Sequence, residues 1–66
     1  MYAIVKYPCN YSTYTSEDYS DCVNYLTTMN DLFRRFSLKT KQTETFLTVQ
    51  HATSETVYSI EYIKQN

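Results

Sequence analysis

The sequence predicts an α+β fold in which three strands and one helix follow one another in the order β-α-β-β. Apolar residues recur every three or four positions between residues 19 and 36, which is the period of an amphipathic helix. The stretches on either side are instead rich in β-branched and aromatic residues. A length of 66 residues allows one domain, residues 1–66, with a small core. We therefore expect a three-stranded antiparallel sheet, order 1-3-2, with the helix packed on one face.

The first strand is predicted at the N-terminal end of the chain, in the segment YAIVKY at residues 2–7. Pro8 ends it, and its core-facing side chains are either the odd-numbered or the even-numbered ones. The following segment CNYSTYT, residues 9–15, is polar and typical of turns. We expect it to form a loop that leads into the helix.

The helix is predicted to begin near Ser16, because residues 15–18, TSED, supply a candidate N-cap and negative charge for the first turn. Arg34 and Arg35 complement the helix dipole in the last turn. The apolar stripe covers about half of the helix circumference. It consists of Tyr19, Cys22, Val23, Leu26, Met29, Phe33 and Phe36. This face of the helix is expected to lie on the sheet.

Two further strands are predicted in the C-terminal half, at residues 43–52 and 56–64. In the first of them Leu47 and Val49 lie on the face opposite Phe46, and in the second alternate residues from Tyr58 to Tyr62 share a face. The short connection predicts an antiparallel hairpin. Because it contains neither Gly nor Asn, we expect a loop of about four residues.

Composition and charge exclude several classes of protein. A net charge of −1 argues against a general nucleic-acid coat protein and against a strongly acidic DNA mimic. No apolar run approaches the roughly 20 residues of a membrane helix, and the N-terminal MYAIVKYP lacks the pattern of a signal peptide. We expect a cytoplasmic protein that has no membrane partner.

The residues that most often carry chemistry do not form a recognisable set. Cys9 and Cys22 flank the predicted loop, so they either form a disulfide or remain reduced, with Cys22 as a small core residue. Two cysteines and the single His51 do not supply a metal site at any usual spacing. No nucleophile and orienting group accompany His51 in the sequence. We therefore predict a protein that is not an enzyme and needs no cofactor and no metal.

Two features instead suggest contact with another protein. Tyr11 and Tyr14 lie among Ser, Thr and Asn, a composition typical of recognition loops; alternatively, they fold back over the core. Phe46, Val57 and Ile63 are apolar on the sheet face that one helix leaves uncovered. A symmetric homodimer through the sheet or a partner protein would cover that face; coverage by the chain termini is the alternative.

Charged residues form two groups. The acidic group runs from the start of the helix along its outer face and is a candidate for contact with a basic cleft; alternatively it is a solvated helix face. It consists of Glu17, Asp18, Asp21 and Asp31. The positive group is a candidate phosphate-binding site for RNA, although dipole compensation and a solvated loop also explain it. It consists of Arg34, Arg35, Lys39 and Lys41.

The organisation of the chain resembles that of the small inhibitors that bacteriophages and mobile elements encode against host systems, including anti-CRISPR proteins. The resemblance concerns size and α+β organisation and involves no specific residues. It implies a non-enzymatic module that binds and inhibits a larger host protein or a protein-nucleic acid complex. The alternative is a small RNA-binding or regulatory module that uses the basic group. Direct nucleic-acid binding is the less favoured of the two.

Overall fold

The computed structural model describes residues 1–64 and contains one helix and one sheet. In chain order the elements are β1 (Tyr2–Tyr7), β2 (Tyr11–Ser16), α1 (Tyr19–Arg35), β3 (Lys39–Gln42), β4 (Phe46–His51) and β5 (Ser54–Tyr62). The sheet has five strands in the order β2-β1-β5-β4-β3, and every neighbouring pair is antiparallel.

The prediction of a three-stranded sheet of order 1-3-2 is therefore wrong. The sheet has two additional edge strands, β2 next to β1 and β3 next to β4. Both are short polar segments, YSTYTS and KTKQ, which the sequence analysis assigned to loops on either side of the helix. Hydrophobic periodicity cannot identify such strands, because edge strands are held by backbone hydrogen bonds to a neighbour more than by burial of their own side chains.

Strand β2 contains a bulge. Ile4 of β1 lies opposite Tyr14, and the next residue, Val5, lies opposite Ser12, so Thr13 is the additional residue. The Thr13 hydroxyl donates to the Ile4 carbonyl at 3.2 Å and so occupies part of the hydrogen-bonding capacity that the bulge leaves open.

The helix begins at Tyr19, three residues later than Ser16, because Ser16 is the last residue of β2. Asp18 is the N-cap and has extended backbone angles. At the other end, Ser37 has a φ of 63° and its N–H donates to the Arg34 carbonyl, while the Leu38 N–H donates to the Phe33 carbonyl. These two bonds form a Schellman motif, which ends the helix and turns the chain into β3.

The hairpin between β4 and β5 has a two-residue turn, so the expected loop of about four residues is wrong. His51 pairs with Ser54, which leaves only Ala52 and Thr53 between the strands. Ala52 has a φ of 42°, a value that tight hairpin turns require and that usually selects Gly or Asn. The pairing of β4 with β5 is thus extensive enough to place alanine in this conformation.

The core lies between α1 and the sheet. Alternate side chains of the three central strands face the helix, and the fully buried helix residues Cys22 and Leu26 pack on them. The buried cluster consists of Ile4, Cys22, Leu26, Leu47, Val49, Tyr58 and Ile60. In β1, therefore, the even-numbered side chains face the helix. The odd-numbered Ala3 and Val5 lie on the other face and are also buried.

Candidate protein-binding surface

The sheet has a second face, opposite α1, which we call the open face. Successive side chains of a strand point to opposite faces, so the neighbours of each core-facing residue belong to the open face. The register of the strand pairs then shows which of these residues lie side by side. Its side chains belong to Ala3, Val5, Tyr7, Ser12, Thr15, Lys39, Lys41, Phe46, Thr48, Gln50, Glu55, Val57, Ser59 and Glu61. None of the helices or strands within residues 1–64 packs over it.

Two side chains of the open face cover one half of it. The Tyr7 hydroxyl donates a short hydrogen bond to a Glu61 carboxylate oxygen. Tyr7 pairs with Val57, and Glu61 is four residues further along β5, so both side chains must lie along the sheet to meet. The row between them holds Val5 and Ser59. This arrangement explains why Val5 and Ser59 are only 8% and 7% exposed on a face without a second layer.

Hydrogen bonding to Glu61, burial and the negative charge of that carboxylate, in this order, raise the pKa of Tyr7 above its ordinary value of 10.0. The hydroxyl therefore remains protonated, and remains a donor, throughout the physiological pH range. The open face is accordingly covered where β1 meets β5 at Val5 and Ser59, and it remains exposed on β3, β4 and the first part of β5.

That exposed half contains a group of side chains which we call the docking patch: Lys39, Lys41, Phe46, Thr48 and Val57. Phe46 is 47% exposed, although large apolar side chains are usually buried. Lys41, Thr48 and Val57 lie side by side across β3, β4 and β5, with Thr48 in the middle. Phe46 lies on β4, two residues before Thr48 and on the same face. The patch therefore combines an aromatic side chain at the first residue of β4 with two lysines at its β3 margin.

The backbone around Phe46 is held firmly. Its N–H donates to the Thr43 hydroxyl at 3.1 Å, its carbonyl accepts from the Thr43 N–H at 2.8 Å, and the Ile60 N–H donates to the neighbouring Thr45 carbonyl at 2.9 Å. Beside the patch is a shallow cavity of about 160 Å³. It is lined by Lys39, Thr40, Lys41, Thr48, Gln50 and Glu55.

The other predicted contact residues lie elsewhere, so they do not form one surface with the docking patch. Tyr11 and Tyr14 are on β2 and not in a loop. Tyr14 is half-buried against the core and stacks on Tyr25 of the helix, with ring centroids 4.2 Å apart and an interplanar angle of 12°. Tyr11 is 63% exposed. Of the two tyrosines, only Tyr11 is available for contact through most of its surface.

The acidic residues Glu17, Asp18 and Asp21 are exposed where β2 passes into α1. A Glu17 carboxylate oxygen lies 3.9 Å from the N-terminal amine, and Asp21 accepts a hydrogen bond from the Ser16 hydroxyl at 2.9 Å. Negative charge at this end complements the helix dipole. The group is at the opposite end of the helix from the two arginines.

The basic group predicted from the sequence is divided between two sides of the molecule. Thr40 of β3 pairs with Val49, which faces the helix, so Lys39 and Lys41 point to the open face. Arg34 and Arg35 are exposed on the last turn of α1, on the helix side. The four side chains therefore do not form the single phosphate-binding surface that the sequence analysis considered.

Ile63 follows β5 and is 39% exposed. Its N–H donates to the Met1 carbonyl at 2.7 Å, which continues the pairing of β1 with β5 by one residue. Ile63 is therefore at the end of the sheet that lies beyond Glu61, away from Val57. An aromatic cluster lies at the same end, where Tyr2 makes edge-to-face contacts with both Tyr19 and Tyr62 at centroid distances of 5.3 Å.

Within the described residues 1–64, Tyr7, Tyr19 and Cys22 have a raised pKa, and none of them lies in the docking patch. Burial, with smaller effects from Glu44, Tyr2 and Cys22, raises the pKa of Tyr19. Burial and the negative charge of Asp21 raise the pKa of the Cys22 thiol, which disfavours the reactive thiolate.

The cysteines are not joined, because Cys22 is buried in the core and Cys9 is exposed at the turn after β1. His51 is exposed at the end of β4. Within residues 1–64, no group of three or more His, Cys, Asp or Glu side chains is placed to hold a metal ion.

Sequence reasoning placed Phe46 and Val57 on the face away from the helix but missed three features of this surface. These are the covering pair of Tyr7 and Glu61, the contribution of Thr48, and the position of the two lysines at the β3 margin of the patch. The first could have been suspected only after β5 had been paired with β1, since 54 residues separate Tyr7 from Glu61. The lysines needed the assignment of β3 as a strand.

Comparison of the chain with protein-family models, with curated proteins and with solved structures gives no match. In the part of the chain that the structure describes, no helix is both long and apolar enough to cross a membrane.

Proposed function

We propose that this protein is a small non-enzymatic binding module that docks on a larger protein through the docking patch. The observation that carries the proposal is Phe46: an aromatic side chain that is 47% exposed on a sheet face, with its backbone fixed by hydrogen bonds on both sides. An aromatic residue that is already ordered loses little conformational entropy on binding, and such residues are typical centres of protein interfaces.

The partner surface that fits the patch is apolar opposite Phe46 and Val57 and acidic at one side. Phe46 and Val57 need an apolar pocket, while Lys39 and Lys41 favour carboxylates opposite the β3 margin. Electrostatic complementarity of this kind mainly accelerates association and selects the partner, whereas the aromatic contact provides most of the affinity.

The proposal includes an inhibitory role and a cytoplasmic location. A chain of 66 residues that presents a firmly held sheet face can block a site on a larger host protein or protein-nucleic acid complex without catalysing a reaction. Small inhibitors from bacteriophages and mobile elements, including anti-CRISPR proteins, act in this manner. An exposed cysteine thiol, such as that of Cys9, is typical of a reducing compartment.

The test compares three tagged forms of the protein as baits in host lysate: the wild type, Phe46→Ala and Tyr11→Ala. Tyr11 is the matched control, because it is also an exposed aromatic residue on a strand but lies on β2, away from the patch. Each direct partner is then produced in pure form, and its Kd is measured by calorimetry. We expect Phe46→Ala to weaken binding by about 30-fold or more and Tyr11→Ala to leave it within about threefold.

The same measurements can contradict the proposal. A partner that binds Phe46→Ala as tightly as the wild type, but loses affinity with Tyr11→Ala, would place the contact on β2. Enrichment that disappears after nuclease treatment, with affinity that falls steeply as salt rises, would favour the RNA-binding alternative. Replacement of Lys39 and Lys41 by Gln is expected to slow association with a protein partner and to reduce its salt dependence.

A further inference from the structure

The outer surface of α1 carries an exposed stripe that is distinct from the docking patch. Five of its residues follow the spacing 4, 3, 4, 3, which is the spacing of a helix seam that packs against another helix. On a helix with 100° per residue they lie within an arc of about 80°. They are Asp21, Tyr25, Thr28, Leu32 and Arg35, and all five are exposed.

The stripe is unusual because of its apolar members. Tyr25 is 37% and Leu32 is 47% exposed, and the helix C-cap Phe36, at the margin of the stripe, is 76% exposed. Tyr25 stacks on Tyr14, so this side of the helix borders β2. Isolated exposed apolar residues are ordinary, but a row of them along one helix indicates a contact surface.

Around a two-fold axis at Thr28, two antiparallel helices bring Asp21 of one copy opposite Arg35 of the other, since each is seven residues from Thr28. Tyr25 and Leu32 are three and four residues from Thr28, so they are neighbours across the contact that are offset by one residue, about 1.5 Å along the helix axis. This pattern is that of a two-fold symmetric interface, in which every contact between two different residues occurs twice. The small Thr28 permits close approach, and its hydroxyl donor is already used by the Asn24 carbonyl at 3.0 Å.

The charges of the whole helix agree with this pairing. The N-terminal end has Glu17 and Asp18 beside Asp21, and the C-terminal end has Arg34 beside Arg35. Two opposing charges lie nearby: the N-terminal amine, 3.9 Å from Glu17, and Asp31, which lines a surface depression with the two arginines. An antiparallel arrangement still places the acidic end of each helix against the basic end of the other.

We propose that the protein forms a two-fold symmetric dimer in which α1 packs antiparallel on α1 of a second copy. The contact leaves the docking patch on the opposite face of each sheet accessible, so a dimer would present two patches. Because one helix from each copy forms the contact, the buried area lies at the low end for specific interfaces, and we expect a Kd on the order of 1–100 μM.

The first test is sedimentation equilibrium of the purified full chain from about 1 μM to 1 mM. Leu32→Asp and Phe46→Asp form a matched pair, because both side chains are 47% exposed and they lie on opposite sides of the molecule. We expect the wild type and Phe46→Asp to dimerise and Leu32→Asp to remain monomeric. A monomeric wild type at 1 mM would overturn the proposal, as would dimerisation that Phe46→Asp abolishes and Leu32→Asp does not.

Reversal of the charges tests the antiparallel register. Asp21→Arg alone and Arg35→Asp alone each create two like-charge contacts across the two-fold axis, and we expect each to weaken dimerisation by about tenfold or more. The double reversal exchanges the two partners and should restore the Kd to within about threefold of the wild type. Equal weakening in the single and double variants would exclude this register.

Crosslinking tests the position of the axis. In a Cys9→Ser background, in which Cys22 is buried, Thr28→Cys should form a disulfide-linked dimer under mild oxidation. Ser20→Cys, an exposed position on another side of the same helix, is the control and should remain mostly monomeric. Equal yields from the two variants would show random collision and contradict the proposed axis.

Discussion

At the level of single residues, the side chains of Tyr7 and Glu61 decide how much of the sheet remains exposed. They lie over Val5 and Ser59 and so cover the β1 side of the open face. The docking patch lies in the part of the face that remains exposed, next to Gln50 and Glu55. A tyrosine at the end of a strand is ordinarily assigned to the rim of a core, and only the pairing of β5 with β1 provides its carboxylate partner.

The raised pKa of Tyr7 leads to a prediction about alkaline stability. A group whose pKa is higher in the folded state than in the unfolded state stabilises the fold below the unfolded pKa, here about 10, and this contribution is lost as the pH rises through the folded value. Tyr7→Phe removes the ionising group. We therefore expect the free energy of unfolding of the wild type to fall more steeply above pH 10 than that of Tyr7→Phe, as measured by urea denaturation at several pH values.

Glu61→Gln is the second variant for this measurement, because it keeps the Tyr7 hydroxyl and removes the carboxylate that raises its pKa most. Like Tyr7→Phe, it should make the free energy of unfolding fall less steeply above pH 10 than it does in the wild type. Parallel slopes in all three proteins would show that the hydrogen bond does not influence the titration of Tyr7.

At the level of elements, the two edge strands are attached to the helix in different ways. Aromatic stacking of Tyr14 on Tyr25 joins β2 to α1. On the other side, the Gln42 amide of β3 donates to the Thr27 hydroxyl at 3.1 Å and accepts from the Asn30 amide at 3.0 Å. The edges also differ in charge. Two lysines protect β3 against pairing with other strands, whereas β2 has no charged residue and is interrupted by its bulge at Thr13.

The end of the helix provides a prediction at this level. Ser37 occupies a left-handed conformation, with φ at 63°, which costs about 1–2 kcal/mol for a residue other than glycine. Ser37→Gly relieves this strain, but glycine also gives the unfolded chain more conformational entropy, which offsets part of the gain. We therefore expect the free energy of unfolding to rise by about 0.5–1 kcal/mol. Chemical denaturation measures the change.

Asn24→Gly is the control for this substitution, because Asn24 is exposed in the middle of the same helix, where glycine is unfavourable. It should lower the free energy of unfolding by a few tenths of a kcal/mol. If Ser37→Gly also destabilises the protein, the Schellman geometry at this helix end is wrong.

At the level of the whole molecule, the helix and the sheet form a two-layer core, and a protein of this size is only marginally stable. Proteins of this length have a free energy of unfolding of roughly 3–10 kcal/mol. Leu26 is fully buried at the centre of the helix face, whereas Leu32 on the same helix is 47% exposed. Substitutions of the two leucines therefore distinguish a contribution to the stability of the core from a contribution to the proposed dimer contact.

Leu26→Ala should lower the free energy of unfolding by about 3 kcal/mol, because it leaves a cavity in the core between the helix and the sheet. Leu32→Ala should change it by less than about 0.5 kcal/mol when measured at low micromolar concentration, where the monomer predominates. Thermal denaturation followed by circular dichroism distinguishes the two. Similar losses for both variants would mean that Leu32 is part of the core of the monomer.

The sequence by itself determined the helix, its core-facing stripe as far as Phe33 and the three strands with strong apolar or β-branched character, because burial imposes a periodic pattern on the residues involved. Phe36, which was also predicted to face the sheet, is instead 76% exposed, because the helix ends at Arg35. The sequence also indicated that Phe46 and Val57 lie away from the helix. The tertiary structure alone decided the edge strands β2 and β3, the later start of α1, the covering pair of Tyr7 and Glu61, and the separation of Arg34 and Arg35 from the two lysines. These features depend on hydrogen bonds and contacts between distant segments, which leave no periodic signal in the chain.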